Sequence, residues 1–203
     1  MKTIFRQTQL YKFLQYCEEY GAEKVVLDCG AGGDCPPLAI FSEHGYKTFG
    51  IEIDERQLDK ANRFAKEKGI VLDIRKGDMR NIPFEDESFG CIFSYGAIFH
   101  MKKEDMQSAI KEIKRVLKPG GLCFVNFLSI HDFRYNTGEK IGEGEYLQEE
   151  EGETVIHSYY QLDEGDKHFE DMEFVYKENR VLERLYKGHK IRQGYIDYIV
   201  RKK

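Results

Sequence analysis

The chain of 203 residues has no tryptophan, only four prolines and no excess of positive charge. It also has no apolar run near the ~20 residues that a membrane-spanning helix needs, so we expect no membrane segment. Arg6 and Gln7 follow the first five residues at once, so a signal-peptide core is not expected either. These absences predict a cytoplasmic protein with no membrane partner.

Cysteine is scarce and scattered, at positions 17, 29, 35, 91 and 123. No Cys-x-x-Cys pair is present, which argues against a zinc or dithiol redox motif. We interpret the cysteines as small buried apolar residues. The sequence predicts no metal site.

Acidic residues outnumber basic ones, 36 to 31, for a formal net charge of −5. Nucleic-acid-binding domains usually carry a basic face, so we expect no nucleic-acid partner. Much of the negative charge lies in the range 139–173, and such a segment beside a binding site would disfavour anionic substrates.

Strand and helix patterns alternate along the first two thirds of the chain. Helical spacing of apolar residues predicts helices at about 6–20, 38–43, 55–68 and 106–117, and short apolar runs predict strands at 25–28, 47–53, 71–75, 89–95 and 122–128. This alternation predicts one α/β domain, 1–203, with a parallel sheet and helices on both faces. Residues 172–186 and 195–200 favour an antiparallel edge with a turn at Lys187-Gly188.

A glycine-rich turn follows the first strand, in the run Asp28-Cys29-Gly30-Ala31-Gly32. Glycine there lets a ligand lie against the main chain at the end of the strand. The dinucleotide pattern Gly-x-Gly-x-x-Gly would need glycine at position 35, where Cys35 stands. The loop therefore favours a nucleoside ligand other than NAD.

The pattern Asp28-x-Gly30-x-Gly32 resembles the first motif of class I S-adenosylmethionine (SAM) dependent methyltransferases, with Asp34 where a further glycine is usual. The segment 112–121 resembles the helix-to-strand junction of the same family, and the likeness covers about 24–128. It implies a Rossmann-like, seven-stranded, mostly parallel sheet with an antiparallel C-terminal strand. It also implies SAM as cofactor and S-adenosylhomocysteine as product.

An acidic residue about twenty positions beyond the glycine loop is placed to bind ribose hydroxyls, and Glu52 fits that role. Asp54 fits better as the N-cap of the next helix. The resemblance implies that Asp78 binds the adenine amino group and that Met79 packs on the adenine ring. The full set of expected cofactor-binding residues is Asp28, Gly30, Ala31, Gly32, Glu52, Ile53, Gln57, Asp78, Met79 and Ser94.

Two residues near the fourth strand are candidates for catalysis. Tyr95 could face the sulfonium by a cation–π contact. His100 is the first candidate for a general base, if the acceptor must lose a proton; its alternative role is a structural histidine bound to backbone at a helix start. His131 and His157 are weaker candidates.

The function predicted is methyl transfer from SAM to a small-molecule acceptor, and the alternative is a non-catalytic SAM-binding sensor or partner subunit. No Asn-Pro-Pro-Tyr type motif follows the fourth strand, so adenine or glutamine N-methylation is not supported. The acceptor atom and the oligomeric state stay open. Residues 130–157 are rich in Gly and Glu without periodicity, which predicts an acceptor-side cap lined by Phe133, Tyr135 and Tyr146, or else a disordered acidic loop.

Overall fold

A computed structural model describes residues 8–150, 152–186 and 188–203, without the side chain of Tyr186. Helices and strands alternate up to residue 129: α1 Thr8–Glu19, β1 Val25–Cys29, α2 Leu38–Glu43, β2 Lys47–Glu52, α3 Glu55–Lys68, β3 Asp73–Lys76, β4 Phe89–Ser94, α4 Lys103–Val116 and β5 Leu117–Ser129. Five further strands follow: β6 Glu139–Gly142, β7 Glu145–Glu150, β8 Glu153–Tyr160, β9 Met172–Tyr186 and β10 His189–Lys202. No helix in these ranges combines the length and apolar character needed to cross a membrane.

Seven of the strands form the predicted sheet, in the order β3-β2-β1-β4-β5-β10-β9. Strands β1 to β5 pair in parallel, whereas β10 is antiparallel to both β5 and β9. The predicted fold class is therefore confirmed. Lys187, half of the predicted turn between β9 and β10, lies outside the described residues.

Helices cover both faces of this sheet. On one face, apolar residues of α1, α2 and α3 pack on β1 and β4, and the Phe13 ring stacks on Phe93 with centroids 5.7 Å apart. On the other, Met106, Ile110 and Ile113 of α4 are buried against β4 and β5. The predicted burial of the cysteines is confirmed for all but Cys35, which is half-buried, and all five are free thiols.

Helix α3 shows how local sequence sets the element bounds. The Asp54 carboxylate accepts a hydrogen bond from the Arg56 N–H at its start, and Gly69 ends it in the left-handed conformation at φ 65°. Both are ordinary helix-end signals, and the predicted helix 55–68 is found as predicted.

Two predicted boundaries are wrong by several residues. Strand β5 begins at Leu117, not at residue 122, because Leu117 is already extended and pairs with Phe89. The residue before a proline avoids the helical conformation, so Lys118 before Pro119 ends the helix early. Strand β3 begins at Asp73, where pairing with Phe49 starts, and the preceding Val71 is exposed.

Residues 130–157 are not the aperiodic loop that the composition predicts. Strands β6, β7 and β8 form an antiparallel unit, which we call the β-cap (residues 139–160), and it joins the sheet where β8 pairs with the end of β5. Alternate residues of β7, Tyr146 and Gln148, are buried, whereas β8 is buried continuously over its last four residues, 157–160. The period of two in β7 is typical of a half-buried strand and was masked by the high Gly and Glu content.

A buried ion pair links β9 to β10. Arg180 Nε lies 2.7 Å from Asp197 Oδ2, with the two side chains only 10% and 1% exposed. Breaking such a pair leaves an uncompensated buried charge. On the same hairpin, Lys190 and Glu183 form a pair at 2.7 Å whose side chains are 68% and 52% exposed.

We expect Asp197→Ala to lower the free energy of unfolding by about 3–5 kcal/mol, because the Arg180 guanidinium loses its buried partner. The matched change Glu183→Ala should stay within about 0.5 kcal/mol of the parent protein, since it lies at the surface. Urea denaturation of both variants measures the difference. Equal losses of stability in the two variants would contradict this account of the hairpin.

Candidate active site

A cavity of about 550 Å³ opens at the C-terminal ends of β1 to β4. This edge is where ligands bind in open α/β sheets. It brings together the predicted residues Gly30, Gly32, Glu52, Ile53, Gln57, Asp78, Met79, Tyr95 and His100. One cavity therefore collects residues that are spread over about 70 positions of the sequence.

The glycine loop after β1 is packed too closely for side chains. A Cβ on Gly30 would overlap the Cβ of Ala97, and Gly30 also has φ 96°. A Cβ on Gly32 would lie 2.6 Å from Gln57 Cβ and 2.7 Å from Glu52 Oε2. Side-chain contacts thus exclude a Cβ at both glycines of the predicted motif, and at Gly30 the backbone conformation requires glycine as well.

Glu52, at the end of β2, is held by backbone N–H groups on both of its oxygens. Gly32 N donates to Oε2 at 3.0 Å and Asp54 N donates to Oε1 at 2.9 Å. A carboxylate oxygen accepts two hydrogen bonds, so each still has capacity for a ligand hydroxyl. Asp54 instead caps α3, as its position in the sequence predicts.

Asp28 lies beneath the loop and does not line the cavity. Its side chain is buried, and Oδ2 has no hydrogen-bond partner among the described residues. Burial, and then the nearby Glu52 carboxylate, raise the pKa of Asp28 well above its ordinary value. An unpartnered buried carboxylate of this kind is stabilised by a cationic ligand group.

Asp78, beyond β3, is already engaged by a neighbour. Arg80 Nη2 lies 2.6 Å from Asp78 Oδ2, and this guanidinium lowers the pKa of the carboxyl. Arg80 also lies 3.3 Å from Asp105 in the first turn of α4. Arg80 and Asp105 both line the cavity, and the sequence analysis missed them because only the fold brings α4 beside β3.

Besides Asp28, two further predicted cofactor residues are not on the cavity surface. Ser94 is fully buried and its hydroxyl donates to the Cys29 carbonyl at 3.1 Å. Ala31 is also fully buried, behind the loop. The structure corrects both expectations, because these side chains support the loop and the end of β4.

Tyr95 lines the cavity just beyond β4, with its ring parallel to Phe93 at 6.2 Å. The next residue, Gly96, donates its N–H to Asn126 Oδ1 at 2.8 Å. Asn126 is fully buried on β5, and its Nδ2 has no partner among the described residues. No local sequence pattern singles out Asn126, which fixes the turn that carries Tyr95.

The other end of the cavity is formed by His100, Met101 and Ile156 of the β-cap. Burial, then the neighbouring His157, lower the pKa of His100 to about 4, although 36% of its side chain stays accessible. The ring is therefore neutral near pH 7 and a weaker base than the sequence suggested. His157, a weaker candidate from sequence, is buried beside it, with ring centroids 4.7 Å apart.

The expected cap lining is wrong in detail. Tyr146 is buried within the β-cap, where its ring packs against Tyr135 and Tyr159. Phe133 is 51% exposed, and none of Phe133, Tyr135 and Tyr146 lines the cavity. Ile156 takes that position because β8 runs beside the 99–101 segment, with Ser158 N donating to the Phe99 carbonyl.

Comparison with known proteins agrees with this geometry. Residues 27–125 match the family model described as "Methyltransferase domain". The chain is 30% identical over 158 residues to a sterol 24-C-methyltransferase of Pneumocystis carinii. This match covers 66% of this chain and 41% of the relative. It is 36% identical over 104 residues to an uncharacterized methyltransferase of Bacillus subtilis, covering 51% of this chain and 40% of the relative. The chain thus spans less than half the length of these curated relatives.

The fold has a near match among solved structures. A SAM-dependent methyltransferase from Methanosarcina mazei superposes with a TM-score of 0.76 at 23% identity, covering 98% of this chain and 99% of that one. The family match spans the strands β1 to β5 that build the cavity, and the structural match spans the whole chain. Residues 27–125, just under half of the chain, are therefore similar to the methyltransferase domain family, and the whole chain shares the fold of that solved structure.

Proposed function

We propose that the protein transfers a methyl group from SAM to a small-molecule acceptor. The observation that carries the proposal is the Glu52 carboxylate, fixed by the Gly32 and Asp54 N–H groups at the C-terminal edge of the sheet. An acid held at this point of an α/β sheet suits a ribose, since both of its oxygens can accept from the two adjacent hydroxyls. The match of residues 27–125 to a methyltransferase domain supports SAM as the source of that ribose.

The residues present fit the remaining parts of SAM. Asp28 offers a buried carboxyl with an unpartnered oxygen, which ionises more readily beside the cationic amino acid portion of SAM. Asp78 and Met79 offer an acceptor and an apolar surface for adenine. When bound, SAM supplies a methyl group on a positively charged sulfur. Loss of that methyl group leaves a neutral thioether, so the protein need not provide a covalent nucleophile.

The protein's own contribution is positioning, which can supply much of the rate of a displacement reaction. Tyr95 presents an aromatic ring at the end of β4, held by the Gly96–Asn126 hydrogen bond behind it. A ring there suits a sulfonium by cation–π attraction. His100, neutral near pH 7, can accept a proton from an acceptor that must lose one.

We further propose that residues 130–157, through the β-cap, shape the acceptor end of the cavity. Ile156 of β8 lines that end opposite the glycine loop, and Arg56 of α3 forms a hydrogen-bonded ion pair with Glu153 of the same strand. The β-cap thus extends across the cavity to α3, the helix that follows Glu52. The net charge of −5 favours a small-molecule acceptor over a nucleic acid.

The direct test is whether the purified protein binds SAM and S-adenosylhomocysteine but not NAD, and whether it transfers labelled methyl to a component of a metabolite pool. We expect both, measured by calorimetry and by label incorporation. SAM binding without any transfer would favour the sensor alternative. Binding of NAD with no response to SAM would contradict the cofactor assignment.

Glu52→Ala should weaken SAM binding tenfold or more, because it removes two charge-assisted hydrogen bonds of about 1.5–3 kcal/mol each. Asp54→Ala is the matched control two positions away. It should cost about 1 kcal/mol of folding stability, through loss of the α3 cap, and leave SAM affinity within a few-fold. Calorimetric titration of both variants decides, and a larger loss of affinity in Asp54→Ala would shift the ribose site to that residue.

SAM affinity should rise with pH between 3.8, the ordinary pKa of aspartate, and the raised pKa of Asp28 in the free protein, then level off. A ligand cation stabilises the ionised carboxylate, so binding lowers the pKa of Asp28 and releases a proton. Calorimetry in buffers of different ionisation enthalpy measures the proton released. Asp28→Asn keeps the shape of the side chain and should release fewer protons, and the same release in both proteins would contradict this role.

A further inference from the structure

Three potential metal ligands from distant parts of the sequence meet at the acceptor end of the cavity. The side chains of Glu150 of β7 and His157 of β8 approach each other on the β-cap hairpin, and His100 approaches from the segment after β4. Glu150 Oε2 lies 3.3 Å from His157 Nε2 and 3.9 Å from His100 Nδ1. All of the ligand atoms lie within 4.8 Å of one another.

The tautomer of His157 follows from the residues behind it. The Gln148 amide nitrogen lies 2.7 Å from the Arg134 carbonyl and 3.0 Å from that of Thr137, which identifies it as the donor. Gln148 Oε1 is therefore an acceptor, and His157 Nδ1, at 2.8 Å, donates to it. In the neutral ring this leaves the Nε2 lone pair free.

That lone pair points at a carboxylate oxygen. His157 Nε2 and Glu150 Oε2 are both electron-rich, yet they lie 3.3 Å apart with the imidazole almost completely buried. Two acceptors at this distance repel each other unless a positive centre lies between them. Either a proton on Nε2 or a bound cation supplies it.

The surroundings favour a cation that has more than one ligand. Arg134 Nη1 lies 3.1 Å from the other oxygen, Oε1, and its Nη2 donates to the Glu149 carbonyl. Glu150 is thereby held with Oε2 directed to the two imidazoles. The Tyr159 hydroxyl donates to Gln148 Oε1 at 2.8 Å, so the residue that orients His157 is itself fixed. Hydrogen bonding of the far ring nitrogen is how proteins orient metal-binding histidines.

We propose that His100, Glu150 and His157 bind one divalent transition-metal cation at the acceptor end of the cavity. Two imidazoles and one carboxylate suit borderline ions such as Zn²⁺, and three protein ligands leave coordination positions free. His100 lines the cavity, so a free position faces the acceptor space. The sequence predicted no metal site, because the three residues are spread over 58 positions and form no motif.

The ion's role rests on the proposed function, whereas its binding does not. An acceptor hydroxyl or thiol that enters the open position gives its proton to solvent more readily, because the cation stabilises the resulting anion. The oxygen or sulfur stays bound to the metal with its electron pair available for attack. This assigns acceptors with an ionisable O–H or S–H group to the site.

The test is calorimetric titration of the metal-free protein with Zn²⁺. We expect one ion per chain, and at least tenfold weaker binding in His157→Ala and in Glu150→Gln. His131→Ala removes an exposed histidine outside the cluster and should bind Zn²⁺ as the parent protein does. Gln148→Leu should weaken binding about 10–100-fold, as loss of a residue that orients a ligand does.

Two further measurements, visible spectroscopy with Co²⁺ and SAM binding, separate the metal-site proposal from the proposed function. Co²⁺ in place of Zn²⁺ should give visible absorption bands that are lost in His157→Ala. SAM affinity should stay within a few-fold in every variant, which also shows that each is folded. If the parent protein binds SAM but binds Zn²⁺ no better than His157→Ala does, the metal site is wrong and the pair is a protonated imidazole with Glu150. If Zn²⁺ binds as expected and SAM does not, the proposed function fails and the metal site stands.

Discussion

The Glu52 carboxylate is the interaction on which the cofactor half of the cavity depends. By accepting from Gly32 N and Asp54 N, it ties the loop after β1 to the end of β2 and the start of α3. The parallel register of β1 and β2, with Cys29 opposite Ile51, brings the glycine loop and the Glu52 carboxylate to the same level along the strands. A side chain on Gly32 would strike Glu52 and Gln57 at once, so the glycine and the acid constrain each other.

The acceptor half is built differently, from contacts between the β-cap and the segment around α4. Glu145 of β7 accepts the Lys103 N–H at 2.6 Å at the first residue of that helix, which satisfies one of the donors that a helix start leaves open. The Ser158 hydroxyl donates to the Met101 carbonyl at 2.7 Å. These bonds place β8 beside His100. The position of the cluster at the cavity is therefore a consequence of how the cap docks on the sheet.

Local signals explain how much of the site could be predicted from sequence. Gly30, Gly32 and Glu52 lie in the order and spacing that a strand–loop–helix unit imposes, which explains why they meet at one cavity. Asp54 and Gly69 mark the ends of α3, as predicted. The β-cap strands were missed although the buried residues of β7 alternate, because glycine and glutamate have low strand propensity and concealed that pattern.

Features that depend on contacts between distant elements could not be predicted from the sequence. The burial of Ser94 behind the loop, the Asn126 side chain under Gly96 and the approach of Arg80 to Asp105 each join two elements whose packing no local pattern encodes. The same holds for the histidine–glutamate cluster. Its residues follow β4, end β7 and lie within β8, so only the docked cap brings them together.

Both halves of the cavity present electron-rich groups that can stabilise a cation. At the cofactor end these are the partnerless Asp28 oxygen and the Glu52 carboxylate, and burial strengthens that preference. At the acceptor end, Arg134 compensates one oxygen of the Glu150 carboxylate, while its other oxygen and the two histidine rings of the cluster remain. The proposed cation at that end would supply the complement of an electron-rich acceptor, so that each reactant of a methyl transfer meets an opposite charge before the two are brought into contact.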